Sequence, residues 1–92
     1  MPVLGDDEIR AGLGDLPGWS LEHGAIGKTF RFDDFLGSVM FVNRITGAAE
    51  AANHHPDLSI SWNTVTVTLV THSQGGVTGA DLAMAVTIEG LG

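Results

Sequence analysis

The chain has 92 residues, of which 43% are hydrophobic, and a formal net charge of −7 from 4 basic and 11 acidic side chains. This length predicts a single domain spanning residues 1–92, and the hydrophobic content excludes a disordered chain. Nucleic acids and anionic membranes attract proteins mainly through clustered Lys and Arg side chains, so four scattered basic residues exclude both as direct partners.

The first half of the chain predicts a short helix, a strand hairpin and a long helix. Acidic residues 6–8 begin the short helix, because carboxylates are favoured at the positive end of a helix dipole. Residues 19–21 and 25–32 are predicted strands, joined by a turn at residues 23–24. Asp33 or Asp34 is expected to cap the long helix that follows.

The long helix carries apolar residues on more than one side. A stripe at three- and four-residue spacing predicts its buried face and comprises Phe35, Val39, Val42, Thr46 and Ala49. Further apolar residues widen this stripe, namely Leu36, Met40, Phe41 and Ile45. We therefore expect other structure to cover the helix on more than one side. Because the residue before a proline avoids helical geometry, the helix must end before Pro56.

The second half predicts two strands and a final helix. Residues 58–62 form one strand, and residues 64–72 form another, with Thr alternating with Val and Leu. Thr78 and Asp81 have the spacing of a capping box. The final helix presents one side made of Leu82, Ala85, Val86 and Glu89. This order predicts an α+β fold, with helices packed on one face of a four-stranded antiparallel sheet.

The cysteine count and the terminal sequence indicate the compartment. The chain contains no cysteine, which excludes disulfides, thiolate catalysis and cysteine-ligated zinc. Small secreted domains often need disulfides, so this composition favours a cytoplasmic protein. The N-terminal residues lack the apolar segment of a signal peptide, and no apolar run has the length of a membrane span. A domain of this size has a thin core, which favours oligomerisation.

Three of the four histidines, His54, His55 and His72, lie at the ends of predicted elements, where functional residues concentrate. His23 lies in the predicted hairpin turn and is expected at the surface. The histidine side chain titrates near neutral pH and can therefore donate and accept protons there. A single histidine at a helix end is more simply explained as a cap of the last carbonyls. For the group of three, spacing alone leaves capping and chemistry open.

Four other side chains have both a structural and a functional explanation. Glu50 lies four residues before His54 at the negative end of the helix, where a carboxylate costs about 0.3–1 kcal/mol. It can orient a histidine, although an exposed surface glutamate is the simpler explanation. Asp81 is explained by the capping box, but a helix N-terminus can also line a site. Trp19 and Trp62 are most simply core residues, with an aromatic wall for a flat ligand as the alternative.

A metal site is the main chemical alternative to proton transfer. Three histidines can bind zinc and leave a fourth position open. His54 and His55 are consecutive, however, and no HExxH or comparable spacing occurs, which makes metal binding the lesser hypothesis. The chain also lacks a GxSxG motif and a glycine-rich run followed by lysine. These absences argue against a serine hydrolase of that type and against a phosphate-binding loop.

One spaced set of residues resembles the motif of a known family. The set consists of Glu50, His54, His55, Pro56, Trp62, His72 and Asp81. At this spacing the chain resembles the pterin-4a-carbinolamine dehydratase family. Gly18-Trp19 before the first strand and FRFDDF at residues 30–35 agree, so the resemblance covers nearly the whole chain.

The resemblance implies a fold and an activity. It implies a four-stranded antiparallel sheet with helices on one side, and association into homodimers or homotetramers. The implied reaction is dehydration of 4a-hydroxytetrahydropterin to quinonoid dihydropterin. This reaction regenerates the tetrahydrobiopterin cofactor of aromatic amino acid hydroxylases, and no metal or organic cofactor is implied.

The resemblance also implies roles for individual residues. Catalysis is expected from His54, His55 and His72. His54 and His72 are the expected acid and base, in an order that the sequence does not assign, and His55 mainly binds and orients the substrate. Glu50, close to His54, and Asp81 are expected to support the site. The expected pterin contacts are Asn53, Trp62, Thr71 and Ser73. Asn53 stands where an acidic residue is common, and Gln74 stands where other members can carry cysteine.

Two alternatives from other classes remain open. The first is a non-enzymatic dimerisation or interaction module of the same fold, indicated by the thin core and the apolar width of the long helix. Some relatives in the resembled family serve as dimerisation partners of a transcription factor. The second alternative is a protein that binds a metal ion through its histidines.

Overall fold

The computed structural model describes residues 2–92. In these residues, three helices and four strands follow the predicted order α-β-β-α-β-β-α. They are α1 (Asp6–Gly12), β1 (Ser20–Glu22), β2 (Ala25–Arg31), α2 (Phe35–Ala52), β3 (Asp57–Ser61), β4 (Thr64–Leu69) and α3 (Gly79–Glu89). Single 3₁₀ turns follow α1, at Leu13–Asp15, and β4, at His72–Gln74. The α+β class predicted from the sequence is confirmed.

The four strands form one antiparallel sheet in the order β1-β2-β4-β3. Two-residue turns join β1 to β2 and β3 to β4, because Glu22 pairs with Ala25 and Ser61 pairs with Thr64. The long β4 lies inside the sheet, between β2 and β3. The start of β3 therefore lies beside the end of β4, and the residues that flank these two points meet at one end of the sheet.

The alternation of side chains along β4 determines which face of the sheet is buried. Val65, Val67 and Leu69 are fully buried under the helices, whereas the threonines between them face the opposite side. The three helices cover this apolar face with Ile9, Phe41, Ile45, Met84, Ala85 and Ile88. Trp19 completes the core beside Phe30, at a ring-centroid distance of 6.1 Å, and its predicted core location is confirmed.

The buried face of α2 differs from the predicted stripe. Its buried residues are Ser38, Phe41, Ile45 and Ala49. Phe35, the first residue of the predicted stripe, is 55% exposed, and Thr46 is exposed as well. The period of the prediction was right and its phase was wrong, because apolar residues occupy several sides of this helix and hydrophobicity alone does not select one.

The predicted side of α3 needs a similar correction. Asp81, Met84, Ala85 and Ile88 are its buried residues, and Val86 faces solvent. Small apolar residues fill most of this helix, so its inner face is set by the register of the capping box rather than by the apolar pattern. Of the helices in residues 2–92, none has the length and hydropathy that crossing a bilayer requires.

The predicted strands also end earlier than expected. β4 stops at Leu69 rather than at His72, because the chain turns after Thr71, which bridges Gly76. Gly75 makes this turn with a φ of 78°, in the left-handed region that glycine adopts without strain. β3 stops at Ser61, because Trp62 lies in the hairpin turn and not in the strand.

Candidate active site

The predicted catalytic histidines lie at the end of the sheet where α2 ends, β3 begins, β4 ends and α3 begins. We call this region the histidine corner and define it by His54, His55, His72, Thr71 and Asp81. The strand register places it there, since Asp57 at the start of β3 pairs with Thr68 near the end of β4. Side-chain contacts then connect the loop after β4 to the start of α3 and to the end of α2.

The end of α2 directs His54 into the protein. Asn53 is the C-cap of the helix and has left-handed dihedrals, with φ 49° and ψ 44°. Asparagine adopts this conformation more readily than other residues that carry a Cβ. The His54 amide closes the helix by donating to the Ala49 carbonyl at 3.1 Å. The chain therefore reverses at Asn53, and the His54 ring points toward the start of α3.

His54 contacts a buried carboxylate. Its Nε2 lies 2.5 Å from Oδ1 of Asp81. The Asp81 side chain is fully buried, and the His54 side chain is 16% exposed. Hydrogen bonds to a carboxylate are among the strong ones in proteins, and burial makes them stronger. This contact fixes the orientation of the imidazole ring.

Asp81 has further hydrogen-bond donors inside the protein. Its Oδ2 accepts from the backbone N–H of Thr78 at 2.9 Å and from Oγ1 of Thr71 at 2.8 Å. The Thr78 hydroxyl accepts from the backbone N–H of Ala80 at 3.2 Å, so the predicted capping box of α3 is confirmed. The carboxylate of Asp81 therefore belongs both to the helix cap and to the histidine corner.

Glu50 supports a different histidine from the one predicted. Its Oε2 lies 2.5 Å from Nε2 of His55, and both side chains are mostly exposed. In a continuing helix, residue 54 would lie above residue 50. Because Asn53 ends the helix in a left-handed conformation, His54 turns toward α3, and His55 takes the place next to Glu50. Exposed ion pairs stabilise a fold little, so this contact mainly orients the ring of His55.

His72 faces a carboxylate that the sequence analysis missed. Its Nε2 lies 3.8 Å from Oδ2 of Asp57, and both side chains are mostly exposed. Asp57 follows the histidine pair by two residues and is the first residue of β3. The signal was available, because the alternation in the two strands and their short turn determine a hairpin register that brings Asp57 near the end of β4.

The predicted pterin contacts are placed differently from one another. Asn53 and Ser73 lie at the surface of the histidine corner, and Gln74 is also exposed. The hydroxyl of Thr71 is directed at Asp81. Trp62 is 68% exposed and lies at the opposite end of β3. The rise of a strand puts it roughly 15 Å from Asp57, so the structure does not bring Trp62 to the three histidines of the same chain.

Each of the three histidines has its own carboxylate partner. In the part of the chain that the structure describes, no group of three or more His, Cys, Asp or Glu side chains is arranged to hold a metal ion. Paired in this way, an imidazole has one nitrogen directed at a carboxylate and a second nitrogen that can exchange a proton with a ligand. The arrangement suits proton transfer.

An open cavity of about 730 Å³ lies on the face of the sheet that the helices do not cover. It extends from the hairpin turn at His23 across the threonine side chains of β4 to Asp57. His23 is exposed there, as predicted. Because Asp57 also faces His72, one end of the cavity borders the histidine corner.

A second polar cluster connects α3 to the first hairpin. Glu89 accepts hydrogen bonds from the indole N–H of Trp19 at 2.9 Å and from Nζ of Lys28 at 2.7 Å. Burial by itself raises the pKa of Glu89, but these two hydrogen bonds and the positive charge of Lys28 outweigh it and hold the pKa below its ordinary value. This cluster stabilises the packing of α3 on the sheet and takes no part in the histidine corner.

Comparison with known proteins gives three matches. A family model described as "Pterin 4 alpha carbinolamine dehydratase" matches residues 2–91. A protein of Thermosynechococcus vestitus, provisionally named pterin-4-alpha-carbinolamine dehydratase, is 52% identical over 88 residues, which are 96% of this chain and 93% of that protein. A crystal structure titled transcriptional coactivator/pterin dehydratase from Brucella melitensis superposes with a TM-score of 0.92 and 35% identity over 97% of both chains.

A more distant structure shares the fold alone. It is titled a pterin dehydratase-like protein that is a RuBisCO assembly factor in the alpha-carboxysome. It is 20% identical, covers 79% of this chain and 84% of its own, and superposes with a TM-score of 0.65. The same arrangement of helices and strands therefore occurs in a protein whose title names an assembly role.

Proposed function

Because the chain belongs to the pterin 4 alpha carbinolamine dehydratase family, we propose that it dehydrates 4a-hydroxytetrahydropterin to quinonoid dihydropterin. Family membership and the names of the relatives support dehydratase activity. The observation that carries the proposal is the contact of His54 with the buried Asp81, at the same end of the sheet as His72. We further propose that residues 1–92 act as a single domain.

The reaction requires one base and one acid. The N5–H proton must leave the pterin, the C4a–O bond must break, and an N5=C4a double bond must form. The departing hydroxyl takes up a proton and leaves as water. General base and general acid catalysis each contribute about 10²–10⁴ in rate, so two positioned histidines supply the chemistry that this reaction needs.

We assign the base to His54. A carboxylate can only accept hydrogen bonds, so a neutral His54 carries its proton on Nε2, toward Asp81. The Nδ1 atom is then unprotonated and can accept the proton from N5. An imidazole oriented by a carboxylate through its other nitrogen is the arrangement by which hydrolases hold their general base.

We assign the acid to His72 and substrate binding to His55. His72 is mostly exposed, and as an imidazolium it can give a proton to the departing hydroxyl, while Asp57 orients its ring. His55 is held by Glu50 at the surface of the corner and can donate or accept a hydrogen bond with the pterin. The cavity that borders Asp57 has a volume in the range of small-molecule sites, which agrees with a substrate near this point.

The physiological proposal is recycling of tetrahydrobiopterin for an aromatic amino acid hydroxylase. The direct test of the activity is the rate at which the protein consumes freshly generated 4a-hydroxytetrahydropterin, recorded against buffer alone. A rate clearly above the buffer background is expected. A rate equal to the background would exclude the dehydratase function.

A non-enzymatic interaction module is the second candidate. It is supported by the large apolar residues of α2 that the fold leaves exposed, which are Phe35, Leu36 and Met40. The titles of the two structural neighbours, which name a transcriptional coactivator and an assembly factor, agree with such a role. A pull-down tests it: a stoichiometric partner that binds equally well to a His54→Ala/His72→Ala variant, and is lost with Leu36→Glu, would support this role.

A further inference from the structure

The hydroxyl of Thr71 is directed into the protein, toward two polar groups of α3. Its Oγ1 lies 2.8 Å from Oδ2 of Asp81 and 2.9 Å from Oγ1 of Thr78. A hydroxyl has one proton to donate, and a carboxylate can only accept. Thr71 therefore donates to Asp81. The Thr78 hydroxyl must then donate to Thr71, so the direction of each hydrogen bond in this chain is determined.

The donors around Asp81 leave one oxygen for His54. Oδ2 is occupied by the Thr71 hydroxyl and the Thr78 amide, whereas Oδ1 faces Nε2 of His54. Because Asp81 is fully buried, bulk water cannot replace a missing donor. Loss of the Thr71 hydroxyl would leave Oδ2 with the single donor from Thr78, and the carboxylate could rotate away from the His54 ring.

We propose that Thr71 is a positioning residue, which acts through Asp81 to keep the proton of His54 on Nε2. This role rests on the proposed function of His54 as the base. It replaces the predicted direct contact between the Thr71 hydroxyl and the pterin, because the only proton of that hydroxyl is committed to Asp81. The family motif does not include position 71, so this role depends on the structure of this chain.

The tautomer of His54 can be measured without any turnover. Long-range ¹H–¹⁵N NMR correlations distinguish Nε2–H from Nδ1–H in a neutral imidazole, and His54→Gln assigns the signal. We expect the Nε2–H tautomer in the unchanged protein. Thr71→Val removes the hydroxyl and keeps the side-chain shape, so both tautomers should be seen. Thr71→Ser keeps the hydroxyl and should give the spectrum of the unchanged protein.

The same variants give a kinetic readout. A hydrogen bond to a charged group corresponds to roughly a 10- to 100-fold factor, so Thr71→Val should lower kcat by about that amount with little change in KM. Thr71→Ser should keep most of kcat. A purely structural role would lower the melting temperature of Thr71→Val and leave both the tautomer and kcat of the folded protein unchanged.

Three outcomes would overturn the role of Thr71. The first is an Nδ1–H tautomer of His54 in the unchanged protein, a measurement that decides even if Thr71→Val does not fold. The second is a folded Thr71→Val that keeps both the Nε2–H tautomer and kcat. The third is a loss of the tautomer in Thr71→Ser equal to that in Thr71→Val. If the unchanged protein has no dehydratase activity, the proposed function fails instead, and the tautomer comparison still decides the role of Thr71.

Discussion

Nε2 of His54 lies 2.5 Å from Oδ1 of Asp81, and the Asp81 carboxylate is fully buried at the N-terminus of α3. One carboxylate thus caps a helix and orients a histidine. The orientation of His54 therefore depends on the packing of α3 against the sheet. A substitution at position 81 should consequently affect catalysis and stability together, whereas substitutions at the exposed histidines should affect catalysis alone.

Asp81→Asn should lower kcat by roughly 10²–10⁴, the contribution of a general base. The amide of asparagine can donate to Nε2 of His54 and would shift the proton to Nδ1, where the base is needed. The same change weakens the capping box, which is worth about 0.5–2 kcal/mol. Steady-state kinetics and thermal melting measure the two effects. Asp15→Asn, at an exposed position of the turn after α1, is the control. A folded Asp81→Asn with an unchanged kcat would contradict this account of His54.

Asp57→Asn should lower kcat less than Asp81→Asn does. Its carboxylate lies 3.8 Å from His72, and both groups are mostly exposed, so solvent can take over part of its role. The melting temperature should not change measurably. Side-by-side kinetics of the two variants test this order. An Asp57→Asn effect as large as that of Asp81→Asn would show that Asp57 has a more direct part in the reaction.

Glu50→Gln should raise KM and leave kcat nearly unchanged. Glu50 contacts His55, to which we assign substrate binding, and lost binding that is equal in the ground state and transition state appears in KM alone. Because the pair is exposed, stability should be unaffected. Kinetics over a range of pterin concentrations separate the two constants. A fall in kcat at constant KM would indicate instead that His55 takes part in proton transfer.

Glu89 should make stability depend on acid pH. Its pKa in the folded protein lies below the ordinary value of 4.5, so its stabilising effect is present above that value and is lost as pH falls through the folded pKa. Glu89→Gln should therefore lower the melting temperature at neutral pH, and the difference from the unchanged protein should shrink in acid. Thermal melts across this pH range provide the measurement. A difference that stays constant with pH would rule out a charge effect at Glu89.

The exposed apolar side of α2 predicts self-association. Phe35, Leu36 and Met40 are too exposed for a monomer of this size to leave them all in contact with water without cost. We expect a dimer or tetramer by light scattering coupled to size-exclusion chromatography. Leu36→Glu should shift the mass toward the monomer, and Ala11→Glu on α1 should not. A monomeric mass for the unchanged protein would refute this expectation.

The elements that follow from local patterns could be predicted from the sequence. The alternating threonines of β4, the acidic start of α1 and the Thr78–Asp81 spacing each depend on interactions between near neighbours in the chain. These patterns also determined the order of elements and therefore the α+β class. Local propensity and the observed structure agree at all of these places.

The side chains at the histidine corner could be predicted only in part. Three histidines at element ends indicated a site, but Glu50 was assigned to the wrong ring, because the left-handed Asn53 at the end of α2 changes which histidine lies above it. The contact between Asp57 and His72 depends on strand register, and the burial of Asp81 depends on packing of α3. Trp62 fitted the motif by spacing, yet the hairpin places it at the far end of β3.

The most direct test of the proposed chemistry compares dehydration rates of the unchanged protein, His54→Ala and His72→Ala. The substrate is freshly generated 4a-hydroxytetrahydropterin, and Arg10→Ala, at an exposed position on α1, serves as the control. Each histidine variant should lose about 10²–10⁴ of the enzymatic rate and remain folded, and Arg10→Ala should keep it. Folded histidine variants that retain the full rate would contradict the assignment of acid–base catalysis to His54 and His72.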